Sequence, residues 1–126
     1  GGFEMVLGID HVSVLVTDLT KSLHFYQSVL GLPLQQRPNL GFEGAWLAVG
    51  NSQSLHLLCL PNPDAQRVAP AHVGRDRHLA LAVAELETIK HRLLAEGMTF
   101  TLSQSGRAAL FCRDPDGNDV ELVAKP

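Results

Sequence analysis

The sequence predicts an α+β fold built from two βαβββ modules, on three observations. The chain repeats itself; each half opens on an alternating apolar strand followed by an amphipathic helix; and each half closes on two short strands joined by a tight turn. Residues 11–31 read HVSVLVTDLTKSLHFYQSVLG, and residues 78–97 read HLALAVAELETIKHRLLAEG, the same plan with one residue fewer. Further on, Trp46 through Leu57 aligns without a gap on Phe111 through Leu122.

In the first half, Val12, Val14 and Val16 alternate with His11, Ser13 and Leu15, as a strand requires. Asp18 suits the N-terminus of the helix that follows, and Gly31 the left-handed position just past its end. Leu19, Leu23, Tyr26 and Leu30 form the helix's expected apolar stripe. A short strand fits Leu32–Arg37, and two more surround Trp46 and His56. Residues 61–76 hold Pro61, Pro63 and Pro70, three of the seven prolines, and read as a linker. The modules are thus expected at 9–60 and 77–125. In the second half the His78 strand leads to Glu85, then to a stripe of Leu86, Ile89 and Leu93, and to Gly97. A short strand fits Thr99–Ser103. The last two strands flank Asp114-Pro115-Asp116-Gly117-Asn118, where Pro second and Gly fourth suit a type I turn.

Composition narrows the function. The chain has 126 residues, 45% of them apolar, enough for one domain or for two half-size units sharing a core. Its ten basic and thirteen acidic residues give a net charge of -3 with no basic run, so nucleic acid and anionic membranes are poor candidate partners. No apolar stretch approaches the ~20 residues of a membrane span, and no signal pattern opens the chain. Gly1 and Gly2 are set aside from the fold reasoning. Cys59 and Cys112 fit no CxxC spacing, so reduced thiols and a cytoplasmic location are expected.

Strand parity gives the candidate site. Around His56, the residues Leu55, Leu57 and Cys59 oppose Ser54, His56 and Leu58; around Glu121, Val120, Leu122 and Ala124 oppose Asp119, Glu121 and Val123. In the strands of His11 and His78 the histidine likewise opposes the more apolar parity. The four candidates therefore share the more mixed face, which suits a cavity with a polar centre. By position His11 corresponds to His78, and His56 to Glu121. A pseudo-two-fold axis would bring the two pairs together, and three imidazoles with one carboxylate suit Zn, Fe, Ni, Mn or Co. His24 and His91 are also in register, but they lie away from the apolar stripe and are expected in solvent. Trp46 and Phe111 fall on the cavity side, with packing as their expected role. Arg113 and Asp114 are expected to shape the turn, Arg75 and Arg77 to be solvated, and both cysteines to pack as small hydrophobes.

Three stretches carry a resemblance to a known family: Ile9-Asp10-His11-Val12; the run Leu23 to Leu32 (LHFYQSVLGL); and Phe111 to Leu122 (FCRDPDGNDVEL). On these the chain resembles the vicinal oxygen chelate superfamily, which includes glyoxalase I, extradiol dioxygenases, fosfomycin-resistance thiol transferases and bleomycin-binding proteins. The resemblance implies a curled mixed sheet around a metal cavity with helices on its outer face. It implies His11, His78 and Glu121 as ligands, and a homodimer. His56 departs from the pattern, standing where bacterial glyoxalase I has a glutamate that binds metal and moves protons. It remains open there as a fourth ligand or a general base.

The expected function is a divalent-metal enzyme whose small substrate chelates the ion through adjacent oxygens. Glyoxalase-like lyase or isomerase chemistry would use Glu121 or His56 as the mobile base. Extradiol-type ring cleavage would use His11, His78 and Glu121 on Fe(II), although dioxygenases of this kind usually carry more than two modules. The alternative is a metal-free drug- or metabolite-binding protein whose histidines line the pocket.

Overall fold

The computed structural model describes residues 3–125; Gly1, Gly2 and Pro126 lie outside the described residues. Two four-stranded mixed sheets, each drawn from one half of the chain, carry the fold, with helices over one side. The first sheet has the order β1-β4-β3-β2, from β1 (His11–Leu15), β2 (Leu34–Gln35), β3 (Gly44–Val49) and β4 (Gln53–Leu58). The second repeats it as β5-β8-β7-β6, from β5 (His78–Val83), β6 (Thr101–Leu102), β7 (Ala109–Arg113) and β8 (Asp119–Ala124). β1 runs parallel to β4 and β5 parallel to β8, while the remaining pairs are antiparallel. The register repeats as well. Ser13 and Trp46 flank His56 in the first sheet as Ala80 and Phe111 flank Glu121 in the second.

The first helix departs from the expected stripe. Helix α1 (Leu19–Leu23) starts at Asp18, whose side chain accepts from the Lys21 N–H, and then passes without a break into a π-helical segment at His24–Val29. The Leu30 N–H bonds five residues back to the Phe25 carbonyl at 3.0 Å. This wider turn rotates the buried face from Leu19, Leu23, Tyr26 and Leu30 to Ser22, Phe25, Tyr26 and Val29. Helix α2 (Glu87–Ala95) has no such bulge, and Leu86, Ile89 and Leu93 are its buried residues, with Leu86 at its N-cap. Both short strands, β2 and β6, are trimmed to two residues each.

One apolar core spans both halves, drawing Phe25 and Tyr26 from the first helix, Leu47 and Leu57 from the first sheet, and Leu93 and Leu122 from the second half. Polar contacts fix the halves to each other at one end. The turn after β7 has its own 3.0 Å bond from the Gly117 N–H to the Asp114 carbonyl. The buried Asp114 carboxylate accepts from the Asp116 and Asn118 N–H groups at 2.9 and 2.8 Å and from the Tyr26 hydroxyl at 2.8 Å. Asp116 in turn accepts from the Thr17 hydroxyl at 2.7 Å, and the Asn118 amide donates to the Leu15 carbonyl. The turn that sequence assigns to shape alone is therefore also the clamp between the halves. Among the described residues no helix is long and apolar enough to cross a membrane.

Candidate metal site

The structure brings the four expected residues together as two pairs. On the first sheet, the His11 and His56 rings stack with centroids 4.1 Å apart and planes 13° from parallel. Trp46 stacks on the other face of His56 at 4.3 Å and 7°, so His56 is the middle layer of three. The lone pairs of stacked rings lie in near-parallel planes, so both rings can meet one ion only after one of them turns. Burial, then the neighbouring His11, hold His56 below the ordinary imidazole range, which keeps it neutral near neutral pH. His11 Nδ1 lies 2.7 Å from the Asp10 carboxylate, which can only accept. That contact puts the proton on Nδ1 and leaves Nε2 free for an ion.

On the second sheet, His78 Nδ1 lies 2.8 Å from the Asp76 carbonyl oxygen, another obligate acceptor. Nδ1 therefore carries a proton, and Nε2 faces Glu121 Oε1 at 3.2 Å. With the ring neutral, a nitrogen lone pair would face a carboxylate whose side chain is only 4% exposed, a contact that either a second ring proton or a bound cation makes favourable. A divalent ion fits this donor set, and the carbonyl behind His78 is the kind of support that metal-binding imidazoles use. Asp76 is itself held in place: Arg67 grips it with two bonds of 3.0 Å and Arg113 with one of 2.9 Å. These arginines, Arg67 before Arg113, hold its carboxyl well below the usual carboxylate range.

Within one chain the two pairs do not meet. Among the described residues no three His, Cys, Asp or Glu side chains gather in a metal-holding group. His11 and His56 line a hollow of about 560 Å³ on the first sheet together with Asp10, Gln35 and Trp46. His78 lines a different cleft of about 580 Å³ between β1 and β5, with Val12, Leu15, Arg77 and Asp119. No residue lines both.

Of the other residues considered, His24 and His91 are exposed, with His24 paired to Glu96 at 3.0 Å. Arg77 pairs at the surface with Asp64. Cys112 is buried and its thiol is pushed up by burial to about 12, so it is no ready nucleophile. Three supporting residues were missed: Arg107, Asp76 and Arg67. Arg107 Nη2 lies 2.7 Å from Glu121 Oε2. Its signal was weak, because Arg107 lies in a bend two residues before β7, outside the strand whose alternation places Phe111 and Arg113. Asp76 and Arg67 had no such signal, lying in a stretch without periodicity.

This fold is that of the glyoxalase-type proteins. The family model for the Glyoxalase/Bleomycin resistance protein/Dioxygenase superfamily matches residues 8–122, so the chain belongs to that superfamily. It is 34% identical to Glyoxylase I 4 of Arabidopsis thaliana, covering 90% of this chain and 68% of the relative. It is 33% identical to glutathione transferase FosA of Serratia marcescens, covering 94% and 81%. Among solved structures it shares its fold with a glyoxalase family protein from Bacillus anthracis, at a TM-score of 0.77, 23% identity and coverage of 99% and 100%. An antibiotic binding protein from a Streptomyces species matches with a TM-score of 0.74 at 23% identity, covering 98% and 100%.

Proposed function

We propose that the chain is a divalent-metal enzyme of the glyoxalase type whose site is completed between two copies. His11 and His56 of one copy would face His78 and Glu121 of the other. The observation that carries this is the His78–Glu121 pair, an imidazole nitrogen and a buried carboxylate oxygen 3.2 Å apart, a separation that two ligands of one ion would have. The separation of the two pairs within a chain supports the second copy. So does the apolar segment before β1, where Phe3, Met5, Val6 and Leu7 stand exposed as a surface that association would cover.

A bound divalent ion supplies the charge that holds two adjacent substrate oxygens and stabilises negative charge on them. His11, His78 and Glu121 keep their places by contacts outside the site. His56 is the exchangeable member. Out of its stack it would be the fourth donor and the third nitrogen, and within the stack it is a neutral imidazole able to take and return a substrate proton. That neutral base favours proton-transfer chemistry, of the lyase or isomerase kind, over oxidative ring cleavage.

The test is elemental analysis after reconstitution with Zn, Ni, Co, Mn or anaerobic Fe(II), followed by assays on the hemithioacetal of methylglyoxal and glutathione, on fosfomycin with glutathione, and on catechols. Metal uptake with turnover of the hemithioacetal or the fosfomycin mixture supports the proposal. Oxygen uptake on catechols would select the dioxygenase reading instead. The Trp46–His56–His11 stack favours one rival, a metal-free pocket for a flat drug or metabolite, and failure of any metal to bind would select it.

A further inference from the structure

We infer that Arg107 is a positioning residue that makes Glu121 a one-oxygen ligand. The inference rests on the metal reading above. The Glu121 side chain is 4% exposed, and its two oxygens have different partners. Oε1 faces His78 Nε2 at 3.2 Å, on the side where the ion would sit. Oε2 accepts from Arg107 Nη2 at 2.7 Å, the length of a charge-assisted bond. The guanidinium is anchored in turn. Its Nε donates to the Ser105 hydroxyl at 3.3 Å, and Ser105 Oγ lies 2.8 Å from Ser103 Oγ. Gly106, with φ +82°, gives the loop the left-handed bend that carries Arg107 back onto the sheet face.

The consequence is chemical. A carboxylate can close on a metal with one oxygen or with both, and the second oxygen fills a coordination position. With Oε2 held by Arg107, that position stays open for a substrate that binds through two adjacent oxygens. The same contact keeps Glu121 from swinging, so it acts as a fixed ligand and leaves proton transfer to His56.

The experiment uses the full chain loaded with Co(II), in the wild type and in Arg107→Gln and Arg107→Lys. Cobalt affinity is measured by competition with a chelator, and coordination number by the intensity of the visible d–d bands. Arg107→Gln is expected to lose about tenfold or more in affinity, typical for removing a group behind a ligand. Its bands should weaken as Glu121 closes with both oxygens. Arg107→Lys keeps a cationic donor at Oε2 and should restore most of both. A Gln variant matching the wild type in affinity and spectrum would overturn the inference while leaving the metal reading intact, and so would Gln and Lys variants equally impaired. A wild type that takes up no cobalt would overturn both. Should Arg107→Gln fail to fold, Ser105→Ala removes the anchor of Nε and is expected to shift affinity and bands the same way by less; no shift there overturns the inference.

Discussion

A site shared between copies predicts that two defective chains repair each other. His11→Ala removes a donor from the first-sheet pair, and Glu121→Ala removes one from the second-sheet pair. Alone, each variant lacks a donor at every site of its homodimer, because each site takes one pair from each chain. In a mixed dimer one site collects both defects, while the other joins the intact His11 and His56 of the Glu121→Ala chain to the intact His78 and Glu121 of the His11→Ala chain. Random pairing makes about half of the dimers mixed, so an equimolar mixture should bind about 0.25 metal ions per chain against about one for the wild type. Co-expression of the two variants with distinct tags, followed by elemental analysis of the pool, reads this directly. Selecting chains that carry both tags should raise the value to about 0.5. A doubly tagged pool with no more metal than either variant alone would refute the reasoning and place each site within one chain.

Three further outcomes follow from the contacts. Trp46, the single tryptophan, lies against His56, so its emission should fall as His56 is protonated, with a midpoint below the ordinary imidazole value of about 6.5. His56→Asn should abolish that titration, and metal that draws His56 out of the stack should change the emission of the wild type alone. Tyr26→Phe deletes a 2.8 Å bond to the buried Asp114 while three other donors to that carboxylate remain, which should cost about 2 kcal/mol. For a chain of this length that is a fall of roughly 6–8 °C in Tm at fixed protein concentration, and calorimetry finding no change would remove the Tyr26–Asp114 contact from the account. Asp76→Asn breaks a buried pairing with Arg67 and Arg113 and should cost about 3 kcal/mol. Because the folded Asp76 pKa is depressed, its stabilisation is present above the unfolded value near 3.9 and is lost as pH falls toward the folded value. The variant's stability, followed by urea melts between pH 5 and 2, should therefore fall less steeply than the wild type's.

What the sequence made legible was what strand parity encodes. The period of two separated Val120 and Leu122 from Glu121, and Leu55 and Leu57 from His56, and the structure keeps those faces apart. The duplication extended to the register, so Trp46 could be matched with Phe111 before any contact was known. The first helix was read less well. An i, i+3, i+4 stripe presumes 3.6 residues per turn, and the π-helical segment at His24–Val29 turns Leu19, Leu23 and Leu30 partly aside and Ser22 inward. The residues that hold the candidate ligands were harder still. Asp76 supports His78 through a backbone carbonyl, which carries no side-chain signature, and Arg67 reaches Asp76 from an aperiodic linker. Nor does the repeat say whether equivalent pairs meet within a chain or between chains, since a pseudo-two-fold axis is compatible with either.

In the proposed dimer, one copy's His11 and His56 meet its partner's His78 and Glu121 on one divalent ion. X-ray absorption at the metal edge of the zinc- or cobalt-loaded wild type addresses this most directly. The expected spectrum has a first shell of nitrogen and oxygen at about 2.0–2.1 Å with the outer-shell scattering of three imidazole rings, one of which disappears in each of His11→Ala, His56→Ala and His78→Ala. A spectrum fitted by water oxygens alone, or one in which the three histidine variants leave the imidazole signal unchanged, would contradict it.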